Sequence, residues 1–231
     1  VIGQNPCNEI VSKEVKITID KTTADLGSDQ IVCEGPINIS SNIQNAGIIS
    51  WTHNGKGSIL NSTLTTATPI YIPSSLDRDQ NVTFTVTVTP KNGCGADATD
   101  SVIYKINGAP TVSAGASVTI CETQPTYVLN GSSTFTDSVV WSHTGSGTFD
   151  NPNTEDPTYT FSPTDIATGS VTFTLKGKKL NCTDAVSTII VTIRKNPVAN
   201  AGTAQTICQG QTVYFTGSAH NSDSVSWAKS S

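Results

Sequence analysis

The sequence predicts an all-β chain built of tandem β-sandwich repeats of about 88 residues joined end to end, and three observations carry that prediction. The cysteines are periodic: Cys33, Cys121 and Cys208 stand 88 and 87 residues apart, and Cys7, Cys94 and Cys182 stand 87 and 88 apart. The tryptophans keep step, with Trp51, Trp141 and Trp227 lying 18, 20 and 19 residues after the first cysteine set. Val82–Thr89 reads VTFTVTVT, a strict alternation of apolar and polar residues that suits a half-buried strand and no helix. A fixed period of this kind marks a repeat architecture, in which each copy is one structural unit.

The repeat boundaries follow from the shared words. Residues 1–19 read as the last strand of a preceding repeat, through Val15, Ile17 and Ile19. Residues 20–107 and 108–195 read as two whole repeats, and 196–231 as the head of another. INGAP at 106–110 and KNPVAN at 195–200 mark joins too short for free tumbling. Within each repeat the first strand leads to SDQIVCEG or ASVTICET. Next comes the tryptophan strand, with Ile49, Val139 or Val225 two residues before the indole and so on its face. NGKG and TGSG follow, expected to make tight hairpins whose glycines supply positive φ. PIYIPSSLD or PTYTFSPTD then leads into the alternating strand, Val82–Thr89 or Val171–Leu175. The last strand carries Tyr104 and Ile106, or Val191 and Ile193. About seven short strands per repeat fit an immunoglobulin-like sandwich, with Trp51, Trp141 and Trp227 as its core anchors. The head at 196–231 holds about three strands, too few to close a core alone.

Composition narrows the function. Charged residues make up 13% of the 231 residues and the net charge is -5, with lysine and arginine scattered. Nucleic acid demands a clustered basic face, so it is not an expected partner. No apolar run reaches the ~18 residues that span a bilayer. VIGQNPC has neither a basic nor a long apolar region of a signal peptide, so both ends are expected to be interior to a longer chain. Regular cysteines in a threonine-rich chain point to disulfides and an oxidising, extracellular setting.

No pattern for catalysis, cofactor or metal binding emerges, and the chain is expected not to be an enzyme. His53 and His143 each follow a tryptophan by two residues and read as solvent-facing strand positions, since Lys229 stands there in the third copy. Asp77 and Asp165 occupy matching places. Asp77, Asp79 and Asn81 have the spacing of calcium ligands, but the glycine and distal glutamate of a calcium loop are missing. The aspartates read instead as caps of a single helical turn. Asn-x-Ser/Thr triplets begin at Asn38, Asn61, Asn81, Asn130 and Asn181 and would matter only in a eukaryotic source.

Spacing leaves two disulfide schemes open. Cys33–Cys94 and Cys121–Cys182 would close loops inside repeats. Cys33–Cys182 would join neighbours. A first strand running unbroken from Pro110 to Cys121 spans roughly 36 Å. It would place Cys121 at the pole opposite Cys182, beyond the ~7 Å reach of a disulfide. That geometry favours Cys33–Cys182, with Cys121, Cys7 and Cys94 pairing outside this segment; a kinked first strand would reverse it.

The strings AGTAQTICQG with SVSW, WSHTGSGTF, and PTYTFSPTDIATGSVTFTL resemble the Ig-like (PKD-like) repeat of giant cell-surface adhesins in Bacteroidota. The nearest likeness is to the gliding-motility adhesin exported by type IX secretion. It covers nearly the whole chain, although the first whole repeat has GKGSIL in place of GTF and lacks AG before its cysteine. The resemblance implies a cell-surface filament whose repeats form a stalk. Its partners would be neighbouring repeats, surface polysaccharide, or the outer-membrane motility and secretion machinery. Asp-Ser-Val at 100–102, 137–139 and 223–225 is similar to the O-glycosylation signal of that group, at Ser101, Ser138 and Ser224. Two other roles stay open: repeats that themselves bind glycans or surfaces, and accessory modules of a secreted polysaccharide-degrading enzyme.

Overall fold

A computed structural model describes residues 2–4, 10–16, 21–61, 63, 65–93 and 95–229. Cys7, Ile17, Ile19 and Cys94 lie outside the described residues. The chain divides into two compact units, Val1–Gly108 and Ala109–Ser231.

Unit 1 opens with a small antiparallel pair, β1 (Ile2–Gln4) and β2 (Ile10–Ser12). Val15 follows outside any strand and is exposed. The sandwich then uses β3 (Thr23–Asp25), β4 (Gln30–Cys33), β5 (Ile37–Asn38), β6 (Asn42–Gln44), β7 (Ala46–His53), β8 (Ser58–Leu60), β9 (Ile70–Ile72), β10 (Gln80–Pro90) and β11 (Ala98–Asn107). One sheet has the order β4-β11-β10-β7, and the facing sheet the order β5-β9-β8, with β3 paired to β6. Unit 2 repeats this plan. Its strands are β12 (Thr111–Ser113), β13 (Val118–Cys121), β14 (Thr126–Val128), β15 (Ser132–Thr134), β16 (Ser138–His143), β17 (Thr148–Phe149), β18 (Thr158–Thr160), β19 (Ser170–Lys178) and β20 (Ala185–Arg194). The sheets are β13-β20-β19-β16 and β14-β18-β17, with β12 paired to β15. A last pair, β21 (Val198–Asn200) and β22 (Ser218–His220), follows.

Strand alternation fixes the cores. Val82, Phe84, Val86 and Val88 of β10 are buried while the threonines between them face outward. Val171, Phe173 and Leu175 do the same in β19. Each such fully buried side chain contributes about 1.5–3 kcal/mol of transfer free energy. Between Tyr71 and Asp77, and between Tyr159 and Asp165, the chain turns through a single helical turn, Ser75–Asp77 in unit 1 and α1 (Pro163–Thr168) in unit 2.

Two expectations about backbone are corrected. The first strand is not continuous. It breaks after Leu26 and Ala114 at Gly27 (φ 73°) and Gly115 (φ 86°), a left-handed conformation open to glycine. β12 pairs antiparallel with β15, and β13 then crosses to pair parallel with β20, so the two halves of the strand lie in different sheets. NGKG and TGSG are not hairpins: they carry the chain from β7 to β8 and from β16 to β17, which belong to opposite sheets.

The tryptophans differ among themselves. Trp141 is 3% exposed and donates from Nε1 to the Glu155 carbonyl at 3.1 Å. Trp51 is half-buried against the unit 1 core and donates to the Thr66 carbonyl at 3.0 Å. Trp227, in the head at 196–231 that holds too few strands to close a core, is 57% exposed. It stacks on Phe215 at 5.3 Å, and Val225 beside it is exposed too. The physical reason is local. Among the described residues, β21 and β22 pair only with each other, so no facing sheet covers the indole.

Candidate functional site

The polar groups that sequence comparison singled out meet in one place, once in each unit. In unit 1 the helical turn after β9 swings Asp77 back under the β7–β8 crossing. Its Oδ1 accepts from the Lys56 N–H at 2.7 Å. Its Oδ2 accepts from the Ser74 N–H at 2.8 Å and from the Tyr71 hydroxyl at 2.9 Å. The Tyr71 oxygen in turn accepts from the Gly57 N–H at 2.8 Å. Unit 2 repeats the set. Asp165 accepts from the N–H groups of Ser146 (2.7 Å), Gly147 (2.9 Å) and Ser162 (3.0 Å) and from the Tyr159 hydroxyl (3.1 Å). The Tyr159 oxygen also accepts from the Gly147 N–H at 2.8 Å. Both carboxylates sit in capping boxes with Ser74 and Ser162. Each is 2% exposed.

The glycines earn their positions by close approach. None of Gly55, Gly57, Gly145 and Gly147 has positive φ. A Cβ on Gly57 would lie 2.1 Å from the Ile72 carbonyl oxygen, and one on Gly147 2.1 Å from that of Thr160. Only a bare backbone can drop its N–H groups this near the tyrosine and aspartate.

The histidines do not face solvent, contrary to the sequence reading. Alternation carries them inward with the tryptophans. His53 packs on Tyr71 at 5.0 Å and Phe84 at 6.2 Å. His143 packs on Tyr159, Phe149 and Phe173 at 4.8, 5.1 and 6.5 Å. His143 Nδ1 lies 3.1 Å from the Gly145 carbonyl, whereas His53 Nδ1 is buried without a hydrogen-bond partner.

Serine, histidine, tyrosine and aspartate at one spot suggest acid–base chemistry, but the electrostatics run the other way. Burial pushes the Tyr71 and Tyr159 hydroxyls up to about 12, and their hydrogen bonds to Asp77 and Asp165 add to it. Burial also works to raise the two carboxyls. The N–H donors of Lys56 and Ser74, or of Ser162 and Ser146, together with the tyrosine hydroxyls, outweigh it and hold both below the usual carboxylate range. A catalytic base works best with a pKa near the ambient pH. These groups are driven away from neutrality in opposite directions. The arrangement is a latch that ties the sheet crossing, β9 or β18, and the helical turn together.

The remaining sequence-derived positions lie elsewhere. Asp79 (φ 56°) accepts from the Gly108 N–H at 3.3 Å, so it does not join Asp77 in a ligand set. Among the described residues no three His, Cys, Asp or Glu side chains gather as metal ligands do. Ser101, Ser138 and Ser224 are all exposed. Two of the preceding aspartates have structural work: Asp100 accepts from the Leu26 N–H at 2.7 Å and Asp137 from that of Leu180 at 2.9 Å. Cys33 and Cys182 are disulfide-bonded, while Cys121 and Cys208 are exposed free thiols. The scheme containing Cys121–Cys182 is therefore not the one formed.

The latch itself was missed from sequence. Its signal was present: tyrosine precedes aspartate by six residues in both units, and G-x-G precedes the tyrosine by 14 or 12 residues.

No family model matches the chain, and no curated protein does. Among solved structures it is similar to the insect immune protein hemolin, described with a domain arrangement that has implications for homophilic adhesion. The match is 16% identical, covers 83% of this chain and has a TM-score of 0.50. The chain spans 55% of the hemolin chain. Two smaller likenesses are to immunoglobulin domains 1–4 of Sidekick-1 (12% identity, 78% of this chain and 53% of that one, TM-score 0.32) and to the PKD domain from KIAA 1837 protein (20% identity, 42% and 93%, TM-score 0.31). With two sheets of this order in each unit and the hemolin overlap, the chain is all-β and immunoglobulin-like in fold.

Proposed function

We propose that these repeats are structural modules of an extracellular adhesin, the stalk of a cell-surface filament of the gliding-motility type, without enzymatic activity. One observation carries the reading: the polar residues common to both units are consumed in holding the sandwich together. The tyrosine–aspartate latch leaves neither a free base nor an open nucleophile. The constant period supports it, because stacked repeats gain reach, each adding about 35–40 Å by strand length. Disulfide-bonded Cys33 and Cys182 fit an oxidising compartment. We take the disulfide-bonded Cys33 and Cys182 to be joined to each other, a staple between neighbouring repeats that would stiffen the array. Small-angle scattering of the chain tests the stalk: an elongated particle is expected, and a compact one would refute it.

A further inference from the structure

Unit 1 carries a trough along the open side of its sandwich, between the outer strands β4 and β5. A cavity of about 640 Å³ is lined from β4 and the bend before it by Leu26, Ser28, Gln30 and Val32, and from β5 and beyond by Asn38 and Ser40. Tyr104 also lines it. A second cavity of about 290 Å³ shares Leu26, Gly27 and Ser40 and prolongs the trough to Asp25 and Asn42. A Cβ built on Gly27 meets nothing within 4 Å, so the bend is open to a ligand.

The lining is chemically specific. The larger cavity has no charged side chain, which disfavours a phosphate, a carboxylate or a cation. Gln30, Asn38, Ser28 and Ser40 can each both donate and accept. An apolar ligand would strip these groups of water without replacing their hydrogen bonds. Tyr104 is 5% exposed and accepts the Ser40 N–H, burial raises its hydroxyl above the usual range, and its ring packs against Phe84 at 5.5 Å. It therefore forms a fixed element of the lining. The matching side of unit 2 shows what the frame needs without this lining. Strand register equates Gln30 with Val118, Tyr104 with Val191 and Asn38 with Val128. The same fold stands with valine at all three positions, so the hydrogen-bonding side chains of unit 1 are not required by the sandwich.

We propose that this trough binds a neutral, linear oligosaccharide. Sugar hydroxyls both donate and accept, as the lining does, and C–H faces would lie on half-buried Val32 and exposed Pro36. The two cavities adjoin at Leu26, Gly27 and Ser40 and would take consecutive rings of one chain. This role does not depend on the stalk reading, which scattering tests separately.

The test is nuclear magnetic resonance on the ¹⁵N-labelled 231-residue chain, titrated to about 10 mM with hexasaccharides of β-1,4-glucan, β-1,3-glucan and chitin. A threonine-rich extended peptide is titrated in parallel. Shift changes from at least one sugar should cluster at residues 25–42 and Tyr104. Asn38→Val and Gln30→Val, each giving unit 1 the residue of unit 2, should weaken binding about tenfold. Ser28→Trp, which fills the trough from an exposed position, should abolish it; retained shift dispersion shows that each variant is folded. The proposal is overturned if no sugar in the panel shifts these residues, if changes cluster elsewhere, if the variants bind unchanged, or if only the peptide binds.

Discussion

Units 1 and 2 share one backbone plan and one latch but fill their cores differently. Unit 2 surrounds Tyr159 with Phe149, Phe161, Phe173 and His143, at ring separations of 4.8–5.2 Å. Unit 1 has Ile59 at the place of Phe149, and its His53 has a buried nitrogen without a partner. Trp141 is buried where Trp51 is half-buried. What stays constant between the two is therefore the polar latch and its glycines, while the apolar filling drifts. The latch is what specifies the crossing between sheets, since volume-conserving changes in a core cost little beside orphaned buried donors.

The comparison can be broken most severely at the aspartates. Asp165→Ala leaves three N–H groups and a tyrosine hydroxyl facing an apolar methyl, and should cost about 3–5 kcal/mol by chemical denaturation. Asp77→Ala should cost about as much in unit 1, which makes the latch equally important in both. A cost below about 1 kcal/mol in either unit would show that the carboxylate is not what holds the turn.

Gly147→Ala and Gly57→Ala come next. The added methyl meets a carbonyl oxygen at 2.1 Å in each case, and a loss of about 2–3 kcal/mol is expected in thermal unfolding.

The pH dependence follows with its sign fixed by the shifts. The tyrosines are raised from 10.0 to about 12, so their stabilisation is complete below pH 10 and is lost as pH rises towards about 12. The carboxyls are lowered from 3.8, so theirs is present above that pH and is lost as pH falls through their folded values. Tyr71→Phe combined with Tyr159→Phe should flatten the alkaline limb of stability against pH, and should weaken the acid limb only in part, because the backbone N–H donors still hold the two carboxyls down.

Smaller effects separate the units. Trp141→Phe should destabilise by about 1–2 kcal/mol, Trp51→Phe by less, and Trp227→Phe by almost nothing, in order of burial. His143→Phe loses its contact with the Gly145 carbonyl and should cost about 0.5–1 kcal/mol. His53→Phe removes an unpartnered buried nitrogen and should be neutral or stabilising.

Much of the fold was legible in the sequence because it depends on local pattern. Alternation at Val82–Thr89 gives β10, and the recurrence of tryptophan after cysteine gives β7 and β16. The break at Gly27 and Gly115 was not legible, because a strand that changes partners midway is set by the two sheets flanking it. The role of the hairpin-like glycines was misread for a related reason. Gly57 and Gly147 are there for what lies across from them, and sequence shows only their neighbours. The inward histidines were hidden by the Lys229 of the third copy, which lies in a segment where even the tryptophan is exposed. Asp77 and Asp165 were read as caps, which they are. Their reach to Lys56, Ser146 and Gly147, 18–21 residues away, is a tertiary contact.

The proposed stalk rests on a staple between neighbouring repeats, and disulfide mapping of native protein by non-reducing peptide mass spectrometry tests this most directly. A cross-linked peptide joining Cys33 to Cys182 is the predicted result. Cys33 recovered in a peptide with Cys94 would contradict it, and would make each repeat a self-contained bead.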